Sequence, residues 1–115
     1  MSIKVATING VAAIEIARPE KKNALTVEMY QAMADAINAA AEDPAVRALL
    51  ITGQPGIFTS GNDLQDVLNR ARPHIDESPV FRFMRSLIEC DKPVVAAVTG
   101  AAIGIGTTML LHCDF

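Results

Sequence analysis

The stretch ALLITGQPGIFTSGNDL (residues 48–64) decides the fold. Its first five residues are an apolar run that ends at Gly53, which is typical of a short buried strand in a sheet covered on both faces. A loop is predicted at residues 54–56, and a short helix is predicted over residues 63–71. A strand, a turn and a helix in so few residues indicate a β/α unit.

Two β-rich runs precede this unit, at residues 3–8 and 11–16, and Asn9-Gly10 lies between them. Asn-Gly between two such runs is a strong hairpin signal, because a type I′ turn needs positive φ at both central residues. The chain is therefore predicted to open with a β-hairpin.

Helices and strands alternate through the rest of the chain. A helix is predicted from the N-cap Thr26 to a stop at Asp43, with an apolar stripe of Met29, Met33 and Ile37. Residues 72–79 are predicted to be irregular, residues 80–90 to form an amphipathic helix, and residues 94–98 to form a second buried strand. The inward residues of that second helix are predicted to be Phe83, Met84, Leu87 and Ile88. This order predicts an α/β fold with a largely parallel sheet after the hairpin.

The composition limits the possible classes of function. The 115 residues are 50% apolar and 20% charged, with a net charge of −3, which suits one globular domain or a piece of one. This acidic balance argues against a surface for nucleic acid or for an anionic membrane. Cys90 and Cys113 are too few for a disulfide framework and are expected to be buried, reduced thiols.

No membrane span or export signal is predicted. The uncharged run at residues 93–111 contains three glycines and three threonines, so we expect a strand, a loop and a helix there. The N-terminus has no charged-then-apolar leader, which predicts a cytoplasmic location. The consecutive residues His112, Cys113 and Asp114 cannot all face one ion on regular backbone, and His74 is expected to be exposed, so no metal site is predicted.

Three segments have the residue types for chemistry. Residues 58–64 and 99–106 both place glycine between a strand and a helix, where backbone N–H groups can approach an oxyanion or a polarised carbonyl. The simpler interpretation of the first segment is a plain turn with Asn62 or Asp63 as the helix cap. The third segment, residues 18–25, is a polar loop whose cations could meet a phosphorylated ligand, or could simply be solvated.

The glycine-rich segment at residues 99–106 has a second interpretation. The pattern T-G-x-x-x-G-x-G after a strand is similar to the cofactor loop of short-chain, NAD(P)-dependent dehydrogenases. In those enzymes the loop follows the first strand, and an acidic residue about 20 residues later binds the ribose. Here nearly a hundred residues precede the loop, and Asp114 follows it too closely, so a dehydrogenase fragment is the weaker alternative.

Taken together, the three segments resemble the crotonase family of enoyl-CoA hydratases and isomerases. The matching motifs are Arg-Pro-x-x-x-Asn-Ala-Leu at residues 18–25, Phe-x-x-Gly-x-Asp-Leu at residues 58–64, and Lys-Pro-Val-Val-Ala-Ala-Val-x-Gly-x-Ala-x-Gly at residues 92–104. The resemblance implies a crotonase-like ββα spiral, an acyl-CoA or enoyl-CoA substrate, and an oxyanion hole of two backbone N–H groups. By position, those two donors are Asn62 and Ile105.

The resemblance also implies which residues bind the substrate. They are Lys22, Ala24, Ser60, Gly61, Asp63, Leu64 and Gly104, with Lys21 as a second candidate for a phosphate of coenzyme A. It implies no cofactor besides the coenzyme A of the substrate, and a homotrimer or homohexamer. It further implies that residues 1–115 are the N-terminal portion of a single acyl-CoA-binding domain.

Thr108 separates two branches of the family. Hydratases of the family use two glutamates, and the first lies three residues after the second oxyanion donor. That position is Thr108 here, and a threonine is no general base at neutral pH. The chain therefore looks more like the Δ3,Δ2-enoyl-CoA isomerase branch, whose single proton-shuttling carboxylate is expected beyond Phe115. An enoyl-CoA hydratase and a non-catalytic acyl-CoA-binding remnant are the alternatives.

Overall fold

The computed structural model describes residues 2–68, 78–98, 100–102, 109 and 113. Within these residues the strands are β1 (Ile3–Ile8), β2 (Val11–Ile16), β3 (Ala48–Thr52), β4 (Ile57–Thr59), β5 (Val94–Ala97) and β6 (Ala101–Ala102). The α-helices are α1 (Val27–Glu42), α2 (Leu64–Leu68) and α3 (Pro79–Glu89), and a 3₁₀ helix spans Pro19–Lys21.

The main sheet has four strands in the order β1-β2-β3-β5. β1 and β2 form the predicted antiparallel hairpin, and β2, β3 and β5 run parallel. Asn9 and Gly10 have φ angles of 53° and 82°, as the predicted type I′ turn requires. The expected sheet, largely parallel after an opening hairpin, is confirmed.

A second, two-stranded parallel sheet pairs β4 with β6. Sequence analysis missed it, because strands of three and two residues are too short to show a period. The close contact between the starts of β4 and β6 depends on Gly100. Its φ is +80°, and an added Cβ there would lie 1.9 Å from the carbonyl oxygen of Gly56. A side chain at position 100 would therefore push β6 away from β4.

The core lies between α1 and one face of the main sheet. The predicted stripe of α1 is buried, and it packs with buried residues of β2 and β3 in one cluster. The opposite face of β2 and β3 is half-buried, so the expected cover on both faces is incomplete among the residues described.

β5 buries only Val94 completely, and Ala97 and Val98 are exposed, contrary to the prediction of a buried strand over residues 94–98. The reason is that β5 is paired on one side only, with β3, in this part of the chain.

The third helix differs from its prediction at both its start and its buried face. α3 begins at Pro79, within the segment predicted to be irregular, and proline suits the first turn of a helix. Its fully buried residues are Phe83, Ser86 and Leu87, while Met84 is half-buried. Ile88 is 63% exposed, so its predicted inward position is wrong. Ile88 follows Phe83 by five residues, which places it about 140° around the helix from Phe83.

Two further predictions need adjustment. The predicted helix over residues 63–71 is observed as α2, Leu64–Leu68, and residues 69–71 lie outside the described part of the chain. Cys90 and Cys113 are free thiols as expected, but each is half-buried and not fully buried.

Both ends of α1 are held by side chains. Thr26 caps the N-terminus as predicted, since its Oγ1 accepts from the Met29 N–H at 3.3 Å. At the other end, Lys92 Nζ donates to the carbonyl oxygens of Ala40 and Asp43 at 2.8 and 2.7 Å. A cation at a helix C-terminus is favourable, so the lysine of the Lys-Pro-Val-Val motif anchors β5 to α1.

Asn23 ties β2, the 3₁₀ segment and β4 together. Its side chain is fully buried, and Nδ2 donates to the carbonyl oxygens of Ile16 and Phe58, both at 3.0 Å. Oδ1 accepts from the Arg18 N–H at 2.7 Å, and the Asn23 carbonyl oxygen accepts from Thr59 Oγ1 at 2.7 Å. A buried amide destabilises a fold unless it is paired, and here each of its polar atoms has a partner.

We predict that Asn23→Ala lowers the free energy of unfolding by about 3 kcal/mol, because three backbone groups lose a hydrogen bond to the Asn23 amide. Asn9→Ala is the matched control, since Asn9 and Asn23 have nearly equal φ angles of 53° and 56°, but the Asn9 side chain is exposed. The control variant should lose only about 1 kcal/mol, the cost of left-handed backbone. Urea unfolding of the full-length protein measures both, and equal losses would contradict the role assigned to Asn23.

Candidate functional site

An open cleft of about 800 Å³ lies between the loop after β2 and the chain that joins β4 to α2. It is lined by Arg18, Lys21, Ala24, Thr26, Ser60, Gly61, Asn62, Asp63, Leu64, Gln65 and Asp66. The fold thus brings together two of the three segments identified from the sequence, residues 18–25 and 58–64. Of the third, residues 99–106, the structure describes only residues 100–102.

The first wall is shaped by two left-handed residues that follow the 3₁₀ helix. Lys22 and Asn23 have φ angles of 52° and 56°, which turn the chain back so that the Lys22 carbonyl oxygen accepts from the Ser60 N–H at 3.2 Å. Lys22 therefore joins the two walls through its backbone, and its exposed side chain is not among those that line the cleft. Lys21 is the lysine that lines it.

The second wall presents the backbone of Asn62. Leu25 donates to the Gly61 carbonyl oxygen and accepts from the Asp63 N–H, each at 2.8 Å, in a parallel bridge. Because residues of a strand alternate in direction, the Asn62 N–H lies on the side of the chain away from Leu25. It makes no hydrogen bond to any residue within the described ranges. Gly61, with a φ of 95°, provides the turn that precedes it.

Arg18 and Asp63 form an ion pair across the cleft. Arg18 Nη1 lies 2.7 Å from Asp63 Oδ2 and also donates to the Ala24 carbonyl oxygen at 3.1 Å. The hydrogen bond from the Asp66 N–H, followed by that from Arg18, lowers the pKa of the Asp63 carboxyl below its ordinary value. Asp63 is therefore an ionised group that holds Arg18 and a poor acceptor for a proton at neutral pH.

The start of α2 is capped by the carboxylate of Asp63. Asp63 Oδ1 accepts from the Asp66 N–H at 3.0 Å, so Asp63 is the cap that the simpler interpretation of this segment allowed. Asp66 in turn accepts from the Val27 N–H at 2.9 Å, at the first turn of α1. One N–H of the first turn of α2, that of Asp66, is thus occupied by Asp63, and the suggestion that the first N–H groups of this helix bind an oxyanion stays a prediction.

Sequence analysis missed Tyr30, which contacts the site from beneath. Tyr30 is 2% exposed, its ring packs against Phe83 with centroids 5.7 Å apart, and its hydroxyl donates to Asn62 Oδ1. Burial raises the pKa of the Tyr30 hydroxyl, which keeps it protonated as a donor. A buried tyrosine needs a partner for its hydroxyl, but the sequence does not identify that partner.

The comparison with known proteins decides the family. The sequence profile described as Enoyl-CoA hydratase/isomerase matches residues 6–115. The chain belongs to this family. The crotonase fold expected from the three motifs is confirmed by solved structures, including OdaA of Pseudomonas aeruginosa, which is 51% identical with a TM-score of 0.94 over 99% of this chain and 46% of that one.

The chain is similar both to proteins named as isomerases and to proteins named as hydratases of the enoyl-CoA hydratase/isomerase family. Human enoyl-CoA delta isomerase 2 is 32% identical over 95% of this chain and 29% of its own length. Mitochondrial enoyl-CoA hydratase of Pongo abelii is 33% identical over 92% of this chain and 37% of its own length. The chain thus spans less than half the length of these relatives, and their names do not separate isomerase from hydratase.

The positions predicted by the family resemblance fall into three groups. Ala24, Ser60, Gly61, Asn62, Asp63 and Leu64 lie together in the cleft, and Lys22 lies beside it. The second proposed donor, Ile105, lies outside the described residues, as do Gly104, Thr108 and His74. The oxyanion roles of Asn62 and Ile105 and the substrate-binding roles of the other residues stay predictions.

Two predicted absences can be compared with the described residues. In these ranges no cluster of three or more metal-ligating side chains occurs, and His112 and Asp114 lie outside them. No helix in this part of the chain is long and apolar enough to cross a membrane.

We predict that Asp63→Asn makes the free energy of unfolding less sensitive to acid. Since the pKa of Asp63 is lowered by folding, its carboxylate stabilises the fold above the unfolded pKa, and this stabilisation is lost as the pH falls through the folded pKa. Urea unfolding at a series of acidic pH values measures the slope. Asp35→Asn, which removes an exposed aspartate paired with Arg82, is the control, and an equal change of slope in both variants would contradict the prediction.

Proposed function

We propose that this chain is the N-terminal portion of a single acyl-CoA-binding domain, from an enzyme that shifts the double bond of an enoyl-CoA thioester from Δ3 to Δ2. The observation that supports the proposal is the Asn62 N–H, which lies at the cleft without a partner among the described residues. The length of the relatives, more than twice that of the chain, supports the assignment to part of a domain.

The proposed reaction needs stabilisation of one oxygen atom. A proton leaves C2 of the 3-enoyl thioester and a proton is added at C4, so the atoms balance without any redox cofactor. The intermediate enolate carries its charge on the thioester oxygen. In our proposal the backbone N–H groups of Asn62 and Ile105 donate to that oxygen, and each such donor typically lowers the barrier by about 3–4 kcal/mol.

The cleft also offers groups to hold the rest of the substrate. In this proposal Ala24, Ser60, Gly61, Asp63, Leu64 and Gly104 line the path of coenzyme A. Lys21 and Lys22 are the candidates for its phosphates, and the position of Lys21 in the cleft lining favours Lys21.

The group that moves the proton lies elsewhere in the proposal. Asp63 is held by Arg18 with a lowered pKa, and Asp66 Oδ2 accepts from the Val27 N–H, so neither carboxylate is a free base. Thr108 takes the place of the first glutamate of the hydratases. We therefore assign the proton shuttle to neither aspartate of the cleft. Hydration of a 2-enoyl-CoA is the second candidate reaction, favoured only by the similarity to named hydratases.

We predict that the full-length protein converts trans-3-hexenoyl-CoA to the conjugated 2-enoyl thioester. The ultraviolet absorbance of the conjugated thioester measures both candidate reactions, because isomerisation of a 3-enoyl-CoA raises it and hydration of a 2-enoyl-CoA lowers it. A rise with the first substrate and no fall with the second supports the isomerase. A fall with the second substrate alone identifies a hydratase.

Ligand protection against thermal unfolding separates the remaining alternatives. Acyl-CoA should raise the melting temperature of the full-length protein, since a ligand that binds only the folded state stabilises it, and NADPH should not. Protection by NADPH alone would support the dehydrogenase alternative, and protection by acyl-CoA without turnover of either enoyl-CoA would support a non-catalytic binding protein.

A further inference from the structure

The amide side chain of Asn62 is placed where it could interfere with its own backbone donor. Asparagine side chains readily accept from their own or following backbone N–H groups, especially just before a helix. Asn62 stands two residues before α2. A free Asn62 Oδ1 would thus compete with a ligand oxygen for the N–H groups at the mouth of the cleft.

The structure assigns Oδ1 to a different partner. The hydroxyl of Tyr30, a buried side chain, donates to Asn62 Oδ1 and fixes the direction of the amide group. The capping that asparagine might otherwise supply to α2 comes from Asp63. Asn62 Oδ1 is therefore held toward the buried Tyr30 hydroxyl.

Tyr30 is itself held firmly. It is on α1, whose N-terminal turn is capped by Thr26 and by Asp66, and its ring packs against Phe83 of α3. Because the hydroxyl is carried by a rigid, buried ring, its position is preorganised before any ligand arrives. Loss of this hydroxyl alone would leave the ring packing in place.

We propose that Tyr30 is a positioning residue that keeps the Asn62 side chain from competing for the Asn62 backbone N–H. This inference rests on the proposed function of that N–H as an oxyanion donor. It assigns to Tyr30 an effect on the enolate that passes entirely through the side chain of Asn62. That dependence makes it testable by a double-mutant cycle.

The cycle uses Tyr30→Phe, Asn62→Ala and the double variant in the full-length protein. In the wild-type background, Tyr30→Phe should lower kcat about tenfold and change KM less than about twofold. The reason is that the Asn62 N–H binds the charged enolate oxygen more strongly than the neutral oxygen of the bound substrate, so its loss mainly raises the barrier. In the Asn62→Ala background, which has no side-chain acceptor to compete, Tyr30→Phe should change kcat less than about twofold.

Binding of two C4 thioesters gives a readout that does not depend on turnover. Acetoacetyl-CoA forms an enolate readily, and butyryl-CoA, which lacks the 3-keto group, is its control. Tyr30→Phe should weaken acetoacetyl-CoA and reduce its bound enolate absorbance, and should leave butyryl-CoA affinity within about twofold. The effect should again disappear in the Asn62→Ala background.

The outcomes separate this inference from the proposed function. An equal loss on Tyr30→Phe in both backgrounds, or an equal weakening of both thioesters, would show a merely structural tyrosine and overturn the inference alone. Wild-type protein that neither turns over an enoyl-CoA nor binds acetoacetyl-CoA would overturn the proposed function and the inference together.

Discussion

The buried amide of Asn23 is the interaction on which the rest of the structure depends. It binds the Ile16 carbonyl oxygen at the end of β2, the Arg18 N–H just before the 3₁₀ helix and the Phe58 carbonyl oxygen in β4. A position that needs two N–H donors and one oxygen acceptor, in the left-handed conformation, suits asparagine better than any other side chain. Since its partners are backbone atoms, the geometry it imposes is passed directly to the chain on either side.

The cleft follows from that constraint. With Asn23 in place, the next residues run beside residues 59–63, where Leu25 pairs with Gly61 and Asp63 and leaves the Asn62 N–H on the far side. Arg18 and Asp63 then close the contact between the two walls as an ion pair. The first steps are hydrogen bonds between backbone groups, so the position of the Asn62 N–H is fixed by the pairing of the chain on either side of it.

Sequence reasoning succeeded where the signal was local and failed where it depended on distant pairing. The Asn9-Gly10 turn, the Thr26 cap and the stripe of α1 follow from rules that act within a few residues. The β4–β6 sheet was not predicted because its strands are too short to show a period. Ile88 was predicted to face inward because it is apolar and follows the buried Leu87, although it lies on the exposed side of the helix. The Tyr30–Asn62 contact joins residues far apart in the chain, and no local pattern specifies it.

The motifs identified the family before the structure did, but their residues act in ways the motifs do not state. Asn23 joins β2 to β4 through buried hydrogen bonds, and Asp63 caps α2 and pairs with Arg18.

The most direct test of the account is a crystal structure of the full-length protein with acetoacetyl-CoA bound. We expect the thioester oxygen within about 3 Å of the Asn62 backbone nitrogen. A thioester oxygen bound elsewhere, with the Asn62 N–H facing solvent or its own side chain, would contradict it.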